Sequence, residues 1–249
     1  DKVPQAIRDE GTIVIATDAS YAPNEFFDED GKTIIGTDAD LAKAIGKTLG
    51  LEVELKNATF DSIIPGLASG KFDIALSSFT DTKEREQTVD MVTYLTAGTG
   101  FYTTAKNPTD VETVADLCGK KVAVQKGTVQ QEDVEAQNKK CDTPINIQVF
   151  TQQTDVDLAL TSGKAQVAMA DSPVAQYAVK QSEGQLKSTG KDYDSAPYGV
   201  AVSKKSGMTE AVQAAVQELM DNGTYTAILD KWGLASGAID ESKINDGVE

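Results

Sequence analysis

Nine consecutive residues, Ser77-Ser78-Phe79-Thr80-Asp81-Thr82-Lys83-Glu84-Arg85, collect hydroxyls, backbone N–H groups and one guanidinium where an apolar run gives way to a polar one. That chemistry suits a small carboxylate. The preceding residues, Phe72-Asp73-Ile74-Ala75-Leu76-Ser77, are short, apolar and β-prone, and Asp81 or Thr82 is placed to cap a helix that carries Glu84 and Arg85 in its first turns. A helix N-terminus has unpaired N–H groups that attract an anion, and Arg85 adds two parallel charge-assisted hydrogen bonds. An exposed arginine in an ordinary first turn would have the same local sequence, so the rest of the chain must decide.

Strand-like and helix-like segments alternate from the start. Residues 11–17 read as a buried strand, 40–49 as a helix with Leu41, Ile45 and Leu49 on one face, and Val53 and Leu55 as the start of a second strand. Residues 62–68 follow as a short helix and 72–77 as a third strand, a βαβαβ order that implies a parallel sheet with helices on both faces. The order then restarts. Residues 121–125 form a strand, 130–137 a helix, 146–150 a strand, 154–160 a helix with Leu158 among its core contacts, and 166–170 a strand. Residues 67–77 and 160–170 are identical at five of eleven positions, at a constant offset of 93. A duplicated α/β lobe explains this with few assumptions, although Ser-Gly-Lys is also a common way to stop a helix. The first copy ends at Ser78 and the second at Asp171. Ligands of open α/β sheets bind at the carboxyl ends of strands, so two facing lobes would bring both residues to one cleft.

The chain closes with an amphipathic helix over 208–220, with Val212, Val216 and Met220 in register, a stop at Asn222-Gly223, and a second helix over 225–232. Small residues and proline interrupt the pattern near 95–99 and 196–199. The expected division is a discontinuous first lobe of residues 1–95 and 199–249, a second lobe of 100–195, and a two-strand hinge at 95–99 and 196–199.

Composition narrows the function. The 249 residues are 40% hydrophobic and 25% charged, enough for one large or two smaller domains with real cores. With 23 basic against 39 acidic residues, the net charge of −16 argues against nucleic acid or an anionic membrane as partner. No segment has the length of a membrane span, and any export leader is expected to have been removed already. Histidine is absent altogether, which removes the commonest general base and metal ligand. Cys118 and Cys141 lack metal-site spacing; they read either as a bridge across one strand–helix unit, which would imply export, or as two buried free thiols. The acidic run Asp28-Glu29-Asp30-Gly31 reads as a turn, with too few oxygens in line for calcium. Gly127-Thr128 is too poor in glycine for a phosphate loop. No metal and no cofactor is expected.

The motifs together resemble those of the periplasmic amino-acid-binding proteins of ABC importers (solute-binding protein family 3), the group of the glutamine-binding and lysine/arginine/ornithine-binding proteins. They are Ala16-Thr17-Asp18 with Tyr21-Ala22-Pro23, Gly36-Thr37-Asp38-Ala39-Asp40-Leu41, Phe60-Asp61-Ser62-Ile63-Ile64-Pro65-Gly66-Leu67, Ser77-Ser78-Phe79-Thr80 with Glu84-Arg85, Val124-Gln125-Lys126-Gly127-Thr128, Ala170-Asp171-Ser172-Pro173, and Asn222-Gly223-Thr224-Tyr225 with Lys231-Trp232. The resemblance runs from about residue 11 to 232. It implies a two-lobe, type II periplasmic-binding-protein-like fold that closes on a free L-amino acid and presents it to ABC permease subunits, without catalysis. It also implies an extracytoplasmic monomer, and the segments with Cys118 and Cys141 resemble a Gram-positive version whose mature form carries an N-terminal lipid.

Site roles follow from the same resemblance. Arg85 would grip the ligand α-carboxylate with help from Thr80 and the Ser77-Ser78 region, and Asp171 would pair with the α-ammonium. Tyr21 and Phe60 would flank the aliphatic part. Asp18 would face the ligand side chain, favouring an ammonium, a guanidinium or an amide, with Gln125 near the same end and Gln130 near a second-lobe contact. Asn24 stands where relatives often carry an aromatic, and Val129 offers only its backbone where close relatives have threonine or glycine. The preferred ligand is then arginine, lysine, ornithine or glutamine. Two alternatives share the fold: the sensing domain of a receptor, and a cyclohexadienyl-dehydratase-like enzyme that would recruit Asp171 as proton donor.

Overall fold

A computed structural model describes residues 2–249. In chain order, α1 (Gln5–Glu10) leads to β1 (Thr12–Thr17), β2 (Ser20–Tyr21), β3 (Glu25–Phe27), β4 (Ile34–Ile35), α2 (Thr37–Leu49), β5 (Glu52–Asn57), α3 (Phe60–Ala68), β6 (Ile74–Ala75), α4 (Lys83–Glu86) and β7 (Val89–Thr104). Then come β8 (Lys121–Gln125), α5 (Val129–Asn138), β9 (Asn146–Phe150), α6 (Gln153–Thr161), β10 (Val167–Asp171), α7 (Ser172–Gln181), β11 (Leu186–Ser203), α8 (Thr209–Asp221) and α9 (Thr224–Trp232). Contacts divide the chain into two compact units. One holds residues 1–19, 23–96 and 196–249, and the other holds 20–22 and 97–195.

In the first unit β1 pairs in parallel with β5 on one side and β6 on the other, and residues 201–202 of β11 run antiparallel to β6. In the second unit β8 pairs in parallel with β9 and β10, and β10 runs antiparallel to residues 99–103 of β7. The two orders, β5-β1-β6-β11 and β9-β8-β10-β7, are the same topology. The segments that repeat at an offset of 93 supply the third strand of each, β6 and β10.

Alternation along the second unit's strands explains its layers. Val122, Val124, Val167 and Met169 point to one side with Val134 of α5 and Leu117, while Ala123, Ala168 and Ala170 point to the other with Val156 and Leu160 of α6 and Val174 of α7. The branched residues fill the face under α5, and the alanines let α6 and α7 lie close. In the first unit Ile63 and Leu67 of α3 pack on Ala16, Phe72 and Ala75.

Some boundaries differ from the sequence expectation. α2 begins at Thr37, so Asp38 falls in its first turn and is buried. The strand expected over 72–77 is paired only at Ile74 and Ala75, because Phe72 lies beneath α3 and Ser77 turns into a side-chain network described below. Leu158 is 62% exposed and takes no part in the core. It lies two residues from Val156, about 200° round the helix, so the apolar face is Val156, Ala159 and Leu160. Met220 is only half-buried, and Leu219 fills the core position instead.

Cys118 and Cys141 form a disulfide with Cα atoms 5.5 Å apart. It ties the start of β8 to the end of α5. Replacing both with serine opens a loop spanning 23 positions and is expected to lower unfolding free energy by about 3 kcal/mol, read by urea denaturation of oxidised wild type and variant.

Candidate functional site

The nine-residue stretch lies in the first unit and is built differently from a helix-dipole cradle. α4 is a single turn, four residues long; Thr82 caps it, its Oγ1 accepting from the Arg85 N–H at 3.2 Å. So short a helix has little dipole. Two of the backbone N–H groups nearby are committed, Asp81 to the Pro197 carbonyl at 2.8 Å and Lys83 to the Val248 carbonyl at 2.8 Å. The carboxylate chemistry of this segment therefore rests on Arg85. Its Nη1 donates to the Thr80 carbonyl at 2.8 Å, and its guanidinium lies 5.5 Å from the Phe60 ring and 5.4 Å from the Phe79 ring. Those rings stack on each other with centroids 4.4 Å apart. A planar cation against aromatic rings, with one N–H already bound, keeps few orientations open. Phe60, expected to flank a ligand, here supports Arg85.

The residues before α4 are fixed from below. Ser78 has φ 53°, in the left-handed region, which costs a serine roughly 1 kcal/mol or more. Its backbone N–H donates to Asp38 Oδ2 at 2.8 Å, and its hydroxyl accepts from Asn24 Nδ2 at 2.8 Å while facing Glu25 Oε2 at 3.2 Å and Asp38 Oδ2 at 3.3 Å. Ser77 Oγ accepts from the Asp18 N–H at 2.9 Å and donates to Glu25 Oε1 at 3.1 Å. Asp38 Oδ2 also accepts from the Tyr94 hydroxyl at 2.8 Å. Asp18 is itself buried, and its Oδ2 accepts from the Phe60 N–H at 3.0 Å, at the start of α3. Asp18 thus caps a helix, as its position after a strand allows.

Glu25 and Asp38 hydrogen-bond each other, which requires a proton between them. Burial raises the Glu25 carboxyl well above its usual range, and the neighbouring Asp38 and Asp18 raise it further. Burial raises Asp38 too, opposed by the hydrogen bonds it takes from Glu25, Tyr94 and Ser78. Neither acid is obvious from the sequence. Glu25 sits before Phe26-Phe27 with no local sign of burial; Asp38 had a signal, since a helix starting three residues earlier than expected turns that first-turn carboxylate inward.

The second unit holds Asp171 at the end of β10. It is buried; its Oδ1 accepts from Gln130 Nε2 at 2.8 Å, and its N–H donates to the Tyr21 hydroxyl at 2.9 Å. Gln130 Nε2 also donates to Thr99 Oγ1 at 2.8 Å, so strands β7 and β10 and helix α5 meet at one carboxylate. Tyr21 packs in this unit's core, and neighbouring Ser20 accepts the Gln153 N–H at 3.1 Å. Gln125 is buried with its Nε2 on the Thr151 carbonyl at 3.0 Å, which fixes its amide inside the unit. Val129 is the half-buried first residue of α5, behind the Thr128 cap. Among the residues named from sequence, Ser77, Ser78, Asp18, Phe60, Thr80 and Arg85 are brought together in the first unit, and Tyr21 and Asp171 in the second. Asn24, Glu25, Asp38, Tyr94 and Thr99 complete the two sets.

The acid pair has a pH signature. A carboxyl whose folded pKa is raised leaves the native state holding more protons than the unfolded chain, so its contribution is full below about 4.5 and is lost as pH rises towards the folded value. Glu25→Gln keeps the shape and removes the titration. The expected outcome is a smaller fall in Tm between about pH 5 and about pH 8 than wild type shows, measured by thermal denaturation across that range. Identical pH profiles would mean that Glu25 is not the proton carrier.

The chain as a whole is similar to known proteins. A family profile described as bacterial extracellular solute-binding proteins, family 3, matches residues 13–235. An arginine-binding protein of Corynebacterium glutamicum, ArgT, is 36% identical over 252 residues, covering 98% of this chain and 81% of its own length. A solved ancestral arginine-binding protein bound to arginine is 36% identical, with a TM-score of 0.84, over 89% of this chain and 98% of that one. Another, the ancestral amino-acid-binding protein AncCDT-1, described as a precursor of cyclohexadienyl dehydratase, is 34% identical with a TM-score of 0.83, over 91% of this chain and 97% of that one. With a family match over residues 13–235 and a relative 36% identical over 98% of its length, the chain belongs to family 3 of the bacterial extracellular solute-binding proteins.

Proposed function

We propose that this protein captures a free cationic L-amino acid, arginine foremost, outside the cytoplasm and delivers it to an ABC permease. The observation that carries this reading is the pair of opposite charges, each prepared in its own unit: Arg85 oriented by Thr80 and two aromatic rings, and Asp171 oriented by Gln130, which is itself held by Thr99. A zwitterion needs one of each sign. Arg85 takes the α-carboxylate and Asp171 the α-ammonium, so the ligand engages both units and its contacts favour a closed arrangement about the crossings near residues 96 and 196. Asp18 provides the charge that selects a cationic side chain. Relatives named for arginine, at 36% identity over nearly the whole chain, support arginine ahead of lysine, ornithine or glutamine. Monomeric action, the permease and an N-terminal lipid tether belong to the same proposal. No step requires catalysis, and absence of water elimination from a cyclic acid substrate would separate it from the dehydratase alternative.

A thermal-shift screen against the amino acids tests the ligand class, because a ligand bound by the folded state alone raises Tm. The largest shift is expected with L-arginine, and no shift with any cationic amino acid would overturn the proposal. Arg85→Ala is expected to cost about 2–4 kcal/mol of L-arginine binding by calorimetry, since a carboxylate loses its charged partner. Asp18→Asn should weaken L-arginine much more than L-glutamine; equal losses would show that Asp18 does not read the side chain.

A further inference from the structure

Residues 242–248 lie beyond the family match, which ends at residue 235, and they make a continuous series of contacts inside the first unit. The Ser242 hydroxyl donates to the Thr93 carbonyl at 2.8 Å, and Thr93 N–H donates to the Lys243 carbonyl at 2.9 Å. Asn245 pairs with Met91 in both directions, N–H to carbonyl and N–H to Oδ1, each at 2.8 Å. The last three residues leave the β7 edge and reach the turn that carries Arg85. Asp246 N–H donates to Asp81 Oδ2 at 3.1 Å, Gly247 N–H to Glu86 Oε1 at 2.9 Å, and Val248 N–H to the Asp81 carbonyl at 3.0 Å, while the Val248 carbonyl accepts from Lys83 N–H at 2.8 Å. The backbone bonds of residues 246–248 all fall on residues 81–86, around α4, whereas the Thr93 and Met91 bonds of Ser242, Lys243 and Asn245 fall on β7.

We propose that residues 242–248 are a positioning strap for Arg85, setting the orientation of α4 and with it the reach of the guanidinium. The inference rests on the reading of Arg85 as the carboxylate-binding group.

Three observations favour positioning over general packing. α4 is one turn long, so its own hydrogen bonds are too few to hold it and its orientation must come from outside. Gly247 passes so close to Asp81 that a Cβ there would lie 2.5 Å from Asp81 Oδ1 and 2.7 Å from its carbonyl oxygen, so the fit admits no side chain. Asp81 is fully buried, and burial beside Glu86 pushes its carboxyl up to about 7, so near neutral pH the strap meets a carboxyl that is neutral about half of the time. An amide at this position would keep the acceptor for Asp246 and mimic that neutral form.

The test is a double-mutant cycle read as L-arginine affinity on folded protein. Gly247→Val should weaken binding at least tenfold, Arg85→Ala should weaken it further, and the double variant should bind no worse than Arg85→Ala alone. Asp81→Leu should resemble Gly247→Val, whereas Asp81→Asn should bind close to wild type, a rescue that a loss of packing alone would not give. Should Gly247→Val fail to fold, Asn245→Ala takes its place in the same cycle. Wild-type affinity in the strap variants alongside a large loss in Arg85→Ala would overturn the strap and leave the site standing. Fully additive losses would overturn it too, by showing that the strap acts elsewhere. Wild-type affinity in Arg85→Ala would remove the site and the strap together.

Discussion

Burying two carboxyls side by side is the constraint from which the first unit's binding surface follows. Glu25 and Asp38 cannot both be ionised at such range without heavy cost, so one proton stays between them and their other oxygens demand donors. The donors are the Ser77 and Ser78 hydroxyls, the Ser78 N–H and the Tyr94 hydroxyl. Meeting them forces Ser78 into the left-handed region, which turns the chain so that Phe79 stacks on Phe60 and Thr80 presents its carbonyl to Arg85. Strain at one residue is thus compensated by satisfied burial at its neighbours.

The second unit reaches a comparable result with fewer charges. One buried carboxylate, Asp171, ends a strand whose neighbours are alanines and branched residues, and its amide and hydroxyl partners come from elements with separate packing roles. Both units share one strand order, whereas the polar groups at the equivalent strand ends differ, Ser77 and Ser78 in one and Asp171 in the other.

Much of this was legible in the chain. Period-two and period-3.6 patterns located most strands and helices, and the echo of residues 67–77 at 160–170 matched the two third strands. Arg85, Thr80 and Asp171 stood out because their types and motif positions agree. What stayed hidden was long-range. Glu25 and Asn24 look like loop residues until the fold closes over them, and the partners of the strap on β7 and around α4 are separated from it by 149 positions or more. Leu158 is apolar and inside a helix, yet it lies about 200° round from Val156 and so faces solvent. The helix expected at Arg85 is one turn long because β7 begins at Val89 and carries the chain into the sheet.

The division of the chain also orders its assembly. Apart from residues 20–22, the second unit is complete once residue 195 has appeared, but the first needs β11 beside β6, then α8 and α9, then Val248 at α4. A polypeptide emerging from its N-terminus, from a ribosome or through a translocation pore, therefore matures its acidic half first and its arginine half last. Until residues 201–202 arrive, β6 is an unfinished sheet edge. The unit that carries Asp171 thus has all its residues in place before the unit that carries Arg85 does.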